Sequence, residues 1–250
     1  MKVVSFNIRC CDDPEGHSVA ERSVRLLRIL QDEDPDLIGM QEYRDIWGPY
    51  ISEKMAKSYD CLNICRTTTG WKESAPLYWK KDRFACEEKR WFWLSDTPEV
   101  ESGGWDTTGH KRLCSYVTLS EKESGKRFRF FNTHFGFGDH CQRSSVALIR
   151  KKCDELPKLP TILTGDFNFT PDTPYYAAVT DFLRDSCDKE LLKFPTYHGY
   201  KPDSDAVVHI DYCFYGTGLA CRDYRILRRT FDGYFPSDHY GICAELSFTD

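Results

Sequence analysis

No apolar run in the 250 residues approaches the roughly 18 positions that a membrane-crossing helix needs, so no membrane span is expected. Proline-, serine- or glycine-rich tracts, low-complexity runs and fixed-period repeats are missing too. That leaves no linker to divide the chain, and residues 1–250 read as one domain with ample material for a core. Basic residues come at most in pairs, such as Lys80-Lys81, Lys151-Lys152 and Arg228-Arg229, and the formal net charge is -5. A protein that grips a long duplex neutralises many phosphates with a basic stripe, and no such stripe is present.

The 12 cysteines lack a metal-binding pattern. Cys61 and Cys65 come nearest to ligand spacing after the adjacent Cys10-Cys11, but no second cysteine pair or histidine pair completes a zinc site. Lys2-Val3-Val4-Ser5-Phe6 already reads as strand, with no charged, apolar and small-residue leader before it. Reduced thiols and a cytoplasmic location are therefore expected.

What the chain does have is apolar β-type runs that end in polar residues. Val3 to Ile8 contains Asn7 near its end, with Arg9 just beyond. Ala20 to Glu33 carries Val24, Leu27 and Leu30 on one helical face, and Asp34-Pro35 stops it. Asp36 to Gln41 is a second strand that delivers Glu42. After a helix from about Ile46 to Met55 come aromatic and β-branched strands at Ala75–Trp79, Arg90–Leu94 and Arg112–Leu119. Arg127 to His134 is another strand, ending in its histidine, and a helix from about Asp139 to Leu156 follows. Thr161 to Gly165 then delivers Asp166 and Asn168, which project to one side if the extended backbone persists. Pro171 and Pro174 precede a short helix near Tyr175–Val179, and residues 181–206 have no clear pattern. Val207 to Phe214 reads as a strand with one acid, Asp211, inside it, and an ionised carboxylate there needs a partner. Cys221–Leu227 and Gly241–Phe248 are further strands, with Ser237-Asp238-His239 before the last. Two β-rich halves with attached helices predict two sheets packed face to face with the helices outside.

A lone histidine beside a strand is ordinarily a hydrogen-bonded structural residue, and a lone aspartate a turn or cap. Here Asn7, Glu42, His134, Asp166, Asn168, Asp211, Asp238 and His239 recur together at strand ends, which makes eight separate structural explanations hard to sustain. Carboxylate and amide oxygens are hard ligands suited to Mg²⁺ or Mn²⁺.

The ordered segments Ser5-Phe6-Asn7-Ile8-Arg9, Gln41-Glu42, Asn132-Thr133-His134, Gly165-Asp166-Phe167-Asn168, Ile210-Asp211-Tyr212 and Ser237-Asp238-His239 resemble the endonuclease/exonuclease/phosphatase superfamily. Thr196-Tyr197-His198-Gly199-Tyr200 also resembles a segment of its small bacterial members. The resemblance implies an α/β fold, a four-layer α/β/β/α sandwich of two mainly antiparallel sheets with outer helices. It also implies a Mg²⁺- or Mn²⁺-dependent phosphoesterase. Asn7, Glu42 and Asp238 then match the metal site. Asp166 matches the residue that orients or deprotonates the attacking water, Asn168 and His134 contact the phosphoryl group, and Asp211 partners His239. Arg9, Tyr78 and Arg143 become candidates for holding substrate, while Trp105 and the Trp91-Phe92-Trp93 run fit core packing or base stacking. One departure stands out: Phe135-Gly136-Phe137-Gly138 follows His134 where small bacterial members carry an acid and a histidine.

The expected reaction is in-line attack of water on a phosphodiester of the nuclease type, in a monomer acting on single-stranded nucleic acid or a small phosphodiester. The alternatives are a phosphomonoesterase or a lipid- or sugar-phosphate hydrolase on the same fold, and a phosphate-binding module without catalysis. The last would be expected to lack Glu42, Asp166 or His239, and all three are present. A serine hydrolase built on Ser237, Asp238 and His239 fits poorly, because three consecutive residues do not readily converge on one geometry.

Overall fold

Ser18 begins the first helix with a capping box, in which its hydroxyl accepts from the Glu21 N–H while the Glu21 carboxylate accepts from the Ser18 N–H. Asp34 ends the helix in the left-handed region (φ 45°), just before Pro35. In the computed structural model, which describes residues 1–249, this helix is α1 (Val19–Glu33), between β1 (Lys2–Asn7) and β2 (Leu37–Gln41). There follow β3 (Tyr43–Arg44), α2 (Gly48–Ala56), β4 (Tyr59–Leu62), β5 (Glu73–Ser74), β6 (Leu77–Lys80), β7 (Phe84–Trp93), β8 (Leu113–Glu121) and β9 (Arg127–His134). The chain continues as α3 (Asp139–Glu155), β10 (Thr161–Asp166), α4 (Pro174–Thr180), β11 (Arg184–Asp185), β12 (Asp211–Tyr215), β13 (Leu219–Leu227) and β14 (Gly241–Phe248).

Two six-stranded sheets form, in the orders β13-β14-β1-β2-β6-β4 and β11-β12-β10-β9-β8-β7. Neighbours are antiparallel except β1 with β2 and β9 with β10. These two parallel pairs need crossovers, and α1 and α3 supply them. Three apolar layers bind the sandwich. Leu37, Leu77 and Trp79 meet Leu119, Phe128, Phe130 and Ile162 between the sheets. Val4, Phe6, Ile38 and Met40 pack under α1 and α2, and Phe131, Leu163, Tyr212 and Phe214 under α3 and α4. A fully buried aliphatic or aromatic side chain of this kind contributes about 1.5–3 kcal/mol. No helix among the described residues is long and apolar enough to cross a membrane.

Near one rim the layer between the sheets turns polar. Asn132 on β9 donates its amide to the carbonyls of Met40 (2.7 Å), Pro76 (3.1 Å) and Ala75 (3.2 Å), and its oxygen accepts from Gln41 Nε2 (2.8 Å) and Thr164 Oγ1 (3.0 Å). This knot ties one sheet to the other. Gly39 lets them approach, since a Cβ there would collide with Thr164 Oγ1 and Asn132 Oδ1.

Two expectations need correction. Tyr78 is buried with Ile38, Trp47 and Met55 on the helix side of its sheet, because strand alternation sends Leu77 and Trp79 to the other face; it is placed as a core residue. The strand foreseen from Val207 begins only at Asp211. Val208 pairs with Tyr197 instead (3.2 and 2.9 Å), which draws residues 207–209 away from the sheet, while the Ile210 carbonyl still accepts from the Phe167 N–H (2.9 Å).

Candidate active site

The carboxyl ends of β1, β2, β9 and β10 meet at one rim, the usual place for a ligand in sheets with parallel pairs. Asp166 ends β10 in register with both His134 and Asp211. Because β12 runs antiparallel, its first residue arrives where β10 stops. That placement makes Asp211 a rim residue.

Two strand ends use the same local device. The Asn7 side-chain oxygen accepts from the Arg9 N–H (3.0 Å), and the Asp166 carboxylate accepts from the Asn168 N–H (3.0 Å). Each turn forces its last residue into the left-handed region, Arg9 at φ 62° and Asn168 at φ 52°, and Glu42 beside them has φ 61°. Asparagine tolerates this conformation; at Arg9 and Glu42 it costs about 1–3 kcal/mol each and must be held by the surroundings. The fully buried Arg22 does part of that, donating to the carbonyls of Ile8 (2.5 Å), Arg9 (3.1 Å) and Cys11.

The Asn7 amide bridges the sheets by donating to Glu42 Oε1 (3.0 Å) and Asp166 Oδ2 (2.9 Å). Glu42 also accepts from the Cys10 N–H (3.0 Å). Burial would raise its pKa, but His134, the Cys10 and Asn7 donors and His239 together pull it down to about 2. Asp166 goes the other way: burial pushes it above its ordinary value against the pull of His134, and Asp211 adds to the rise. Asp238 is likewise raised by burial, opposed by His239 and reinforced by Glu42.

Two imidazoles face Asp166, each with a carboxylate behind it. His239 Nε2 lies 3.8 Å from Asp166 Oδ2, and its Nδ1–H donates to Asp211 Oδ2 at 2.8 Å. His134 Nε2 lies 3.5 Å from the same oxygen, and its Nδ1 lies 3.5 Å from Glu73 Oε1. Burial lowers the His239 pKa, but Asp211 above all, then Asp166 and Asp238, raise it to about 10. The ring is therefore an imidazolium at neutral pH. Ser237 donates its hydroxyl to the Asn7 carbonyl (2.7 Å), which leaves it a structural role.

Asn7, Glu42, His134, Asp166, Asn168, Asp211, Asp238 and His239 thus come together around one cleft of about 910 Å³. Arg9 lines it too, held by Asp13 (3.0 and 3.1 Å) and 3.8 Å from Asp238. Arg143 does not: it stands exposed on α3 and pairs with Asp139 (3.0 Å), because the buried face of that helix is Cys141, Gln142, Ser145, Val146 and Ile149.

Sequence reasoning missed Glu73, Arg66, Arg112 and Gln142. Glu73 is buried and pairs with Arg66 (2.8 Å). Arg112 pairs with Asp106 (2.8 Å), and Gln142 donates to the Asn168 carbonyl (2.5 Å). Glu73 did carry a faint signal, being a charged residue just ahead of an apolar strand, with only Ser74 between.

The donor set suits a hard divalent cation. Glu42, Asp166 and Asp238 crowd one cleft with two amides, and two of the carboxylates are held above their ordinary values, by burial first and by a neighbouring carboxylate second. Asp166, Asp211 and His239 place ligand atoms within 4.8 Å of one another, but Asp211 and His239 are already committed to each other.

A sequence model described as Endonuclease/Exonuclease/phosphatase family matches residues 4–239. An uncharacterised protein of Acanthamoeba polyphaga mimivirus is 30% identical over 180 residues, 67% of this chain and 67% of its own length. An endonuclease/exonuclease/phosphatase family protein of Bacteroides thetaiotaomicron is 29% identical with TM-score 0.90, the match covering 100% of this chain and 98% of that one. A mannosyl-6-phosphatase from the same species is 29% identical with TM-score 0.86, covering 99% of this chain and 100% of that one. With its two-sheet sandwich and its rim of converging carboxylates and histidines, the chain belongs to the endonuclease/exonuclease/phosphatase family of phosphoric ester hydrolases.

Proposed function

We propose that the protein hydrolyses a small phosphate ester, a monoester of sugar-phosphate size ahead of a phosphodiester, with the aid of Mg²⁺ or Mn²⁺. The observation that carries the size is the charge pattern of the cleft. Arg9, Arg66 and Arg112 are each bound to an acid, Asp13, Glu73 and Asp106. A groove that tracks a nucleic acid needs a row of cations left for its phosphates. The mannosyl-6-phosphatase among its structural relatives supports the same size.

Glu42, Asp238 and Asn7 would hold the cation, which supplies Lewis-acid polarisation of a phosphate oxygen. Asp166 accepts the proton of the attacking water, and its raised pKa brings it nearer to the working pH of a base. Asn168 spends one of its two amide hydrogens on the Phe135 carbonyl (2.9 Å), leaving the other for a phosphoryl oxygen. His239 and His134 offer Nε2 to the charge that develops there, His239 as a fixed imidazolium. Positioning and electrostatics supply most of the rate.

The test is a panel with Mg²⁺ and Mn²⁺: mannose 6-phosphate, ribose 5-phosphate, and single-stranded DNA and RNA oligonucleotides. Phosphate release from a sugar monoester should exceed cleavage of oligonucleotides by about 10-fold or more in kcat/KM. Faster turnover of an oligonucleotide would sink the monoester reading. A second measurement concerns the cation. Glu42→Gln removes one negative charge from its seat and should weaken Mg²⁺ or Mn²⁺ binding about tenfold by calorimetry, or about 1.4 kcal/mol. Unchanged affinity would take Glu42 out of the metal site.

A further inference from the structure

We propose that the alcohol side of the substrate carries a flat aromatic ring of the nucleobase kind, held against Trp71 and Phe137; this rests on the phosphoesterase reading above and narrows it. Trp71 is 44% exposed and Phe137 46% exposed, and both line the catalytic cleft. Large apolar side chains left open inside a site mark a surface waiting for a partner.

The Trp71 side chain is anchored, and Phe137 stands on an anchored backbone. The Trp71 indole N–H donates to Glu73 Oε2 (3.3 Å), and the Arg44 guanidinium lies over its ring at 3.5 Å. Glu73 is the carboxylate behind His134, so this ring is tied to the catalytic centre through one side chain. On the other loop, the Phe137 N–H donates to Asp106 Oδ1 (3.1 Å), and its carbonyl accepts from the Thr107 N–H (3.1 Å). Asp106 is in turn fixed by Arg112 (2.8 Å). Gly136 permits this staple, since a Cβ there would collide with the Asp106 carboxyl group, and Gly138 turns the chain at φ 99°.

The chemistry of that loop selects the ligand. Phe135-Gly136-Phe137-Gly138 has no polar side chain with which to read sugar hydroxyls, and a site that recognises hydroxyls does so by hydrogen bonds. What it presents beside the phosphate-binding groups is the Phe137 ring, on a backbone pinned before the ligand arrives. Stacking on such a surface loses little conformational entropy and suits any planar base.

The experiment compares adenosine 5′-monophosphate with ribose 5-phosphate, which differ only by the base. The unaltered protein should prefer the nucleotide by about 10-fold or more in kcat/KM, chiefly through KM. Trp71→Ala should bring that ratio to within about 3-fold, whereas Trp71→Phe, which keeps a ring and loses the indole N–H, should retain most of it. Phenyl phosphate in the same assay separates a nucleobase from a simple aryl group by its KM. Equal kcat/KM for nucleotide and sugar phosphate in the unaltered protein, or a ratio that survives both Trp71→Ala and Phe137→Ala, overturns the proposal. Calorimetric binding in the absence of metal keeps the two readings apart. If no monoester is turned over, yet the nucleotide binds more tightly than ribose 5-phosphate and Trp71→Ala abolishes the difference, the ring site stands and the monoesterase reading falls.

Discussion

Asp166→Asn lowers kcat by about 10³-fold or more at saturating Mg²⁺ and leaves the protein folded, within the range for loss of a general base. The change is close to isosteric, and an amide oxygen can still accept from Asn7 or Asn168, whose donors lie 2.9 and 3.0 Å from the carboxylate. What goes is the basicity, together with the negative charge that both imidazoles face. Burial already penalises that charge, so removing it should not destabilise the fold and can stabilise it. The pair of measurements is therefore diagnostic: turnover falls while thermal stability holds. A variant retaining a tenth of the original kcat would show that Asp166 is not the base.

The second expected result is that Asp211→Asn and His239→Ala each cost about 100-fold or more, and that the double variant is little worse than the poorer single one. Independent groups would multiply their effects. The 2.8 Å contact makes them one unit, because Asp211 fixes the ring and keeps it charged. A double-mutant cycle on kcat whose losses multiply would dissolve the pair. A pH readout checks the same link. His239 has a folded pKa of about 10, above its ordinary value of 6.5, so its charged form contributes stability that is fully present below about pH 6.5 and is lost as pH rises through about 10. Asp211→Asn removes the first cause of that rise. NMR titration of the metal-free variant should then find His239 deprotonating at least about one unit lower; an unmoved titration would mean that Asp166 and Asp238 alone hold the proton.

Most of this centre was legible before the fold was known, for a physical reason. A strand that crosses the core must be apolar along its length, so a polar residue at its end stands out, as Asn7, Glu42, His134 and Asp166 do. Asp211 was visible as an acid without a partner, but its place was misread. The apolar run before it looks like more strand, and only pairing with Tyr197, in the unpatterned connector just before it, removes most of that run from the sheet. Glu73, Arg66 and Arg112 were hidden differently. Arg66 and Glu73 sit in a stretch with no periodicity and Arg112 at the first position of a predicted strand, places where a charge ordinarily means solvent, and their burial depends on one another. The errors at Tyr78 and Arg143 came from side-chain type alone. Strand alternation decided against the first, and the apolar face of α3 against the second.

The knot at Asn132 bears on how the protein is lost as well as how it works. Asn7 and Glu42 come from one sheet, Asp166 and His134 from the other, and the amide of Asn7 spans the gap. Neither sheet alone holds half an enzyme, so a chain that has formed one sheet and not docked the other is inert. Sliding the sheets apart by a single hydrogen-bond length would break the knot, expose the inter-sheet aromatics and dismantle the centre together. Activity and the folded signal should therefore be lost together on heating, as one cooperative event.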